Sequence, residues 1–382
     1  MKSYRSMKTA FSILSTLLVS SIPGVSAFAA GLPEQALSQA NPRVQEVMEA
    51  QEAVTPELMS MPDVLGTAVG QGDDGDATIL VFVNLEGKNP AASARNIPKK
   101  LRGENVIVEF TEPFRALRPG GGGNRGGGGG GGGVSHTAVQ TPPIQLGTSG
   151  GWRDDLANGY CCGGTLGSLI HVGSVQYVLS NYHVFEADIV SGGNNRTAET
   201  GDYIIQCGLI DVKCIASNAQ NVATLVKSSS LPNSNVDASI AAVVPGMVRT
   251  DGAILEIGTI SNQTVGAFVN QTVKKSGRTT GLSRSKVSGL NATVSVAYDN
   301  ECAGDAAFTK TFTGQIIISN RRSGFLAGGD SGSLMVEDVD SNPKAVGLLF
   351  AGSNTLAVAN PIDDVLDFFS EKLGGTATMV GN

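Results

Sequence analysis

The stretch "FLAGGDSGSLMV", residues 325–336, sets Ser331 among glycines and small residues directly before an apolar run. Two readings compete for it. A tight surface turn would use glycine for backbone freedom and serine for polarity. A nucleophilic serine would use the same residues differently, with glycines allowing a bend that turns the hydroxyl and nearby N–H groups to one side. The rest of the chain decides between them.

A nucleophilic serine needs a base, most often histidine, and the histidine needs an orienting carboxylate. The chain has 3 histidines. His136 borders a glycine run and is expected to be poorly positioned, while His171 in "SLIHVGSVQ" reads as a hairpin-turn residue. His183 ends the apolar run "YVLSNYHVF", where packed strands can hold it. Asp237 in "NSNVDASIAAVV" opens an apolar run, so its carboxylate is expected to be at least partly buried and to need a partner. Asp188 and Asp202 stand in more polar contexts. An imidazole donating Nδ1–H to Asp237 would leave Nε2 to accept the serine proton. Each residue taken alone also has a plain structural reading: a core histidine, a turn cap, a turn serine.

Chain order narrows the choice. An α/β-hydrolase places its histidine after the serine, but no histidine follows His183, and Ser333 breaks G-x-S-x-G. A papain-like cysteine ahead of His183 would be Cys161 or Cys162, too near it in sequence. Subtilisin order begins with aspartate and belongs to a different architecture.

Residues 140–373 carry many short β-branched runs, among them "VQYVLSN", "DYIIQCGLI", "SIAAVV", "GQIIIS" and "AVGLLFAG", with Gly, Asn and Ser between them. That spacing indicates an all-β barrel or sandwich. Only the end reads as a helix: in "NPIDDVLDFFSEKLGG", Asn360 is the expected N-cap and Gly374 the stop. Ahead of this region, "PGGGGNRGGGGGGGG" (119–133) holds twelve glycines. It is expected to behave as a flexible linker spanning on the order of 20 Å. Residues 32–118 are expected to form a small α+β unit, with a helix over 42–54 and strands over 64–70, 78–85 and 105–110. Its acidic turn, Asp73, Asp74 and Asp76, is read as a turn; calcium binding would need more of a loop motif.

The order and wording of "SNYHVF", "NVDASIA" and "GGDSGSL" resemble the trypsin/chymotrypsin-like serine peptidases, and "VKKSGRTTGLS" (273–283) is similar to a strand of the bacterial streptogrisin-like members. The resemblance covers about residues 140–373. It implies a double antiparallel β-barrel with a C-terminal helix, preceded here by the small α+β unit. It assigns the base to His183, the orienting acid to Asp237 and the nucleophile to Ser331, with backbone N–H groups of Gly329 and Ser331 as the oxyanion hole. Phe325 and the "FAGS" segment containing Gly352 would line the primary pocket. With nothing acidic there, an apolar or small side chain is expected in place of Lys or Arg. Asp330 should point away and find a cation, Lys275 or Arg278. Departures from the family pattern are Tyr182 before the histidine, Ser333 after "GDSG", and no cysteine shortly after His183.

Composition sets the surroundings. The 382 residues carry a net charge of -7 and no basic stripe, which argues against a nucleic-acid partner. Residues 1–29 read as a secretory signal, with basic Lys2, Arg5 and Lys8, an apolar stretch too short to span a bilayer, and small residues to Ala29. The expected location is therefore secreted or periplasmic. Five cysteines suit a structural disulfide, with Cys207 and Cys214 near enough to bridge locally; no CxxC spacing supports a metal site. The sequence thus predicts a secreted serine endopeptidase acting on protein or peptide, using no cofactor, whose N-terminal unit lies within reach as a pro-segment or regulatory part. The alternative is the same fold used as a binding scaffold with weak or no hydrolysis.

Overall fold

The computed structural model describes residues 37–116, 134–157, 160–186, 196–298 and 308–382. The expected signal segment, the glycine linker, Asp188 and Cys302 lie outside the described residues.

Two curled antiparallel sheets make the body of the molecule. In the second, Thr272–Gly277 pairs with Leu334–Glu337, which pairs with Ala345–Gly352, then Leu356–Pro361, Phe308–Ser319 and Gly281–Tyr298. Gly281–Tyr298 pairs back onto Thr272–Gly277, so six strands close a ring. Alternating apolar residues fill it: Val273, Val287, Ile316, Ile318, Met335 and Leu349 are all buried. The first sheet runs Ala377–Met379, Ser168–Val172, Val175–Ser180, Ser239–Val243, Gln220–Val226, Tyr203–Gln206, Thr148–Trp152 and Gly164–Leu166. It curls until Gly167 N–H donates to the Leu179 carbonyl at 3.0 Å. This is the double β-barrel expected from the sequence.

The C-terminal helix spans Ile362–Leu373 and buries Ile362, Val365, Leu366 and Phe369 on one face. Gly374 ends it in the left-handed region (φ 68°), as its lack of Cβ permits. The chain then returns to the first barrel, where Ala377–Met379 pairs with Ser168–Val172. The helix starts later than expected. Asn360 is the last-but-one residue of a strand, not the N-cap, and its side chain has another task described below.

Ahead of the glycine run, Pro42–Met59 forms a helix capped by Asn41, whose side chain accepts from Arg43 N–H at 2.8 Å. It runs past Pro56, with Val44, Val47, Ala50, Val54 and Leu58 on its buried stripe. The hairpin strands are Val64–Gln71 and Ala77–Asn84, and Glu104–Thr111 lies parallel to the latter. Val64–Gln71 also pairs antiparallel with Gly281–Tyr298, so these strands extend the second barrel's sheet. A short strand, Phe114–Ala116, joins the same sheet. The acidic turn is tied within the protein: Asp76 pairs with Arg43 at 3.0 Å and Asp74 accepts from Asp76 N–H at 3.1 Å. No helix among the described residues is long and apolar enough to cross a membrane.

Candidate active site

His183 sits on a single helical turn, Tyr182–Phe185, directly after the strand Val175–Ser180. Its Nδ1 lies 2.6 Å from Asp237 Oδ2, with both side chains buried. The Tyr298 hydroxyl donates to the same carboxylate oxygen at 2.8 Å. A carboxylate withdrawn from water needs such partners, because its lost hydration must be replaced by hydrogen bonds. The backbone of Asp237 is held as tightly as its side chain. Asn360 Oδ1 accepts its N–H at 2.9 Å, and Asn181 Nδ2 donates to its carbonyl at 2.7 Å. Asn360 is itself oriented by donating to Gln315 Oε1 at 2.6 Å. Asp202, the described alternative, is engaged elsewhere by Trp152 Nε1 at 3.0 Å and Glu199 N–H at 3.1 Å.

The turn around Ser331 explains its glycines. Gly329 and Gly332 have φ of 98° and 91°, a region that side chains strain. A Cβ at Gly332 would also lie 2.2 Å from Ser180 Oγ and 2.4 Å from the Thr165 carbonyl. The first barrel grips this turn through Thr165, whose N–H donates to the Ser331 carbonyl and whose hydroxyl donates to the Gly329 carbonyl, both at 2.9 Å. Ser331 Oγ faces the Phe350 carbonyl at 3.5 Å. Gly164, beside Thr165, leaves room for both parts of the site: a Cβ there would be 2.6 Å from Val184 Cγ2 and 3.1 Å from the Ser331 carbonyl.

Asp330 points away from the Ser331 hydroxyl into a closed cage. Oδ1 accepts the N–H groups of Thr279 at 2.8 Å and Thr280 at 3.1 Å, and Oδ2 accepts Thr280 Oγ1 at 2.8 Å and Ala327 N–H at 3.0 Å. Its cation is Lys275, whose Nζ lies 3.1 Å away with both side chains fully buried. Burial pushes the Lys275 ammonium below the usual lysine range, and the Asp330 carboxylate opposes that shift. Arg278, the other expected partner, instead forms a two-pronged pair with Asp211 at 2.6 and 2.7 Å.

The two expected pocket residues fall in different surroundings. Phe325 is 2% exposed and belongs to the buried cluster containing Leu326, Met335 and Leu349. Gly352, two residues beyond Phe350, ends the strand Ala345–Gly352 and pairs with Arg115. His136 is far better held than expected: its ring bonds the Gly147 carbonyl and Glu256 Oε2, each at 2.7 Å. His171 lies in the strand before its hairpin turn. The disulfide joins Cys161 to Cys214, so the local bridge expected between Cys207 and Cys214 does not form. Cys207 is a buried free thiol, pushed up to about 12 by burial and by Asp211. Sequence reasoning missed Tyr298 and Thr165 as site residues and misread Asn360. Tyr298 closes an alternating strand and Thr165 lies in "CCGGTLGS", so neither carries a local signal of its partner.

Comparison with known proteins adds the following. The family described as "Nal1 C-terminal domain" matches residues 218–359. A search of curated proteins finds no match. Similar solved structures include a glutamic acid specific serine protease described as using a novel histidine triad in substrate binding (17% identity, 62% of this chain and 100% of that one, TM-score 0.40). Others are Protease A of Thermobifida fusca (18% identity, 61% and 98%, TM-score 0.38) and a mutant of human heparin binding protein (12% identity, 62% and 95%, TM-score 0.30).

Proposed function

We propose that this chain is an exported serine endopeptidase that cleaves peptide bonds through an acyl-enzyme on Ser331. The observation that carries the reading is the buried pair of His183 Nδ1 and Asp237 Oδ2 at 2.6 Å, with Tyr298 on the same carboxylate oxygen, beside a Ser331 turn whose Gly332 packs against Ser180 at the end of the strand leading to His183. Ser331 Oγ attacks the scissile carbonyl as His183 Nε2 takes its proton. Asp237 keeps the ring in the tautomer that leaves Nε2 basic, then stabilises the imidazolium. The N–H groups of Gly329 and Ser331 receive the oxyanion, a contribution of about 3 kcal/mol per donor in comparable sites. His183 returns the proton to the leaving amine, the new ester remains on Ser331, and water activated by the same ring releases the acid.

Export is supported by the basic and apolar leader and by the Cys161–Cys214 bridge. The scaffold reading is kept because Ser331 and His183 are only 1% and 2% exposed in the full chain. An aryl phosphonate ester separates the two. Mass spectrometry should find one adduct, on Ser331, in the wild type and none in Ser331→Ala. If the wild type and the Phe114→Ala and Arg115→Pro chains described next all stay unmodified at millimolar probe, the scaffold reading replaces the hydrolase one.

A further inference from the structure

We infer that the chain blocks its own substrate groove: Phe114–Ala116 lies as an extended strand in the place where a peptide to be cut would add. The inference rests on the reading of Ser331 as the nucleophile. The groove edge is set by Phe350, whose carbonyl faces Ser331 Oγ at 3.5 Å. The next residues along that strand, Ala351 and Gly352, pair antiparallel with Ala116 and Arg115. This direction brings the chain toward Ser331 as its residue numbers rise. An acyl donor cleaved at its C-terminal side must run that way.

On its other side the same short strand pairs in parallel, Phe114 with Val296 and Arg115 with Ala297. That strand ends at Tyr298, the residue that holds Asp237. Phe114–Ala116 therefore lies between the strand next to the nucleophile and the strand that braces the acid. Its side chains alternate as a docked peptide's would. Phe114 and Ala116 are buried and Arg115 is exposed. Phe114 fills a cluster with Phe312, Phe350 and Phe82, meeting the last ring edge-on at 5.8 Å. Just upstream, Thr111 Oγ1 meets Ser353 Oγ at 2.7 Å and Thr355 Oγ1 at 2.8 Å, which pins the segment's start to the loop after Gly352. A segment tethered in this way competes as an intramolecular ligand of high effective concentration, so free peptides meet a filled site. The near-complete burial of Ser331 and His183 fits that filling.

The test uses the whole chain. Phe114→Ala removes the anchor. Arg115→Pro leaves the buried side chains in place and removes a backbone N–H from the short ladder. Each is made alone and with Ser331→Ala. Two quantities are read: the rate at which an apolar peptidyl phosphonate labels Ser331, and the anisotropy of fluorescein-TEPFRA, which copies residues 111–116. Both substitutions should raise labelling about tenfold or more, and in the Ser331→Ala background both should open binding of the peptide, as loss of a tethered competitor requires. If either variant is folded by its melting curve yet labels and binds like the parent, the segment does not block the groove. If no chain is labelled but peptide binding rises in the variants, the self-block stands and the hydrolase reading falls.

Discussion

Asp237 Oδ2 takes two donors, one from His183 and one from Tyr298, so each can be removed in turn. Tyr298→Phe deletes a hydrogen bond to a buried charge, worth about 1.5–3 kcal/mol, and touches no substrate. We expect turnover to fall about tenfold or more with KM nearly unchanged, read by steady-state kinetics on the opened Arg115→Pro chain. A change confined to melting temperature would make Tyr298 a packing residue only. At this scale the sequence was legible where residue types were scarce. Three histidines leave few partners for a buried carboxylate, and His183 is the one that meets Asp237. Asn360 was not legible, because an asparagine before proline carries the signature of a helix start, whereas its actual partner, Asp237, is 123 positions away.

The turn that carries Ser331 depends on a neighbouring element, the strand Thr272–Gly277, through the Lys275–Asp330 pair. Removing one partner of a buried pair leaves an uncompensated charge, at a cost of about 3–5 kcal/mol. Lys275→Met should therefore lower the denaturant midpoint steeply and slow phosphonate labelling with it, while Lys275→Met with Asp330→Asn should recover much of the stability. Arg278→Met should be milder in its effect on the turn, since Arg278 pairs with Asp211 and not with Asp330. Equal losses from the two single substitutions would count against the Lys275 cage. Most strands of both barrels were readable as β-branched runs between turn residues. The strand Phe114–Ala116 was not: it is three residues long, has a proline before it and arginine in its middle, and owes its extended form entirely to the two strands it joins.

In the whole molecule, the N-terminal helix and hairpin share a buried cluster with the second barrel, in which Val47, Val69 and Ile79 lie with Val287, Leu290 and Ile316. Cutting the chain at a protease site engineered into residues 119–133 should therefore not part the two pieces. They are expected to elute together on size-exclusion chromatography and to separate only in denaturant; separation in plain buffer would mean the shared core contributes little. The pairing of Val64–Gln71 with Gly281–Tyr298 bears on anyone who trims this protein. A product beginning at residue 134, the obvious choice for isolating the barrels, would leave Leu290, Thr293 and Val294 without their ladder partners. A vacated apolar edge recruits strands from other copies of itself. The failure to expect from such a preparation is clumping in the tube, with each barrel still folded.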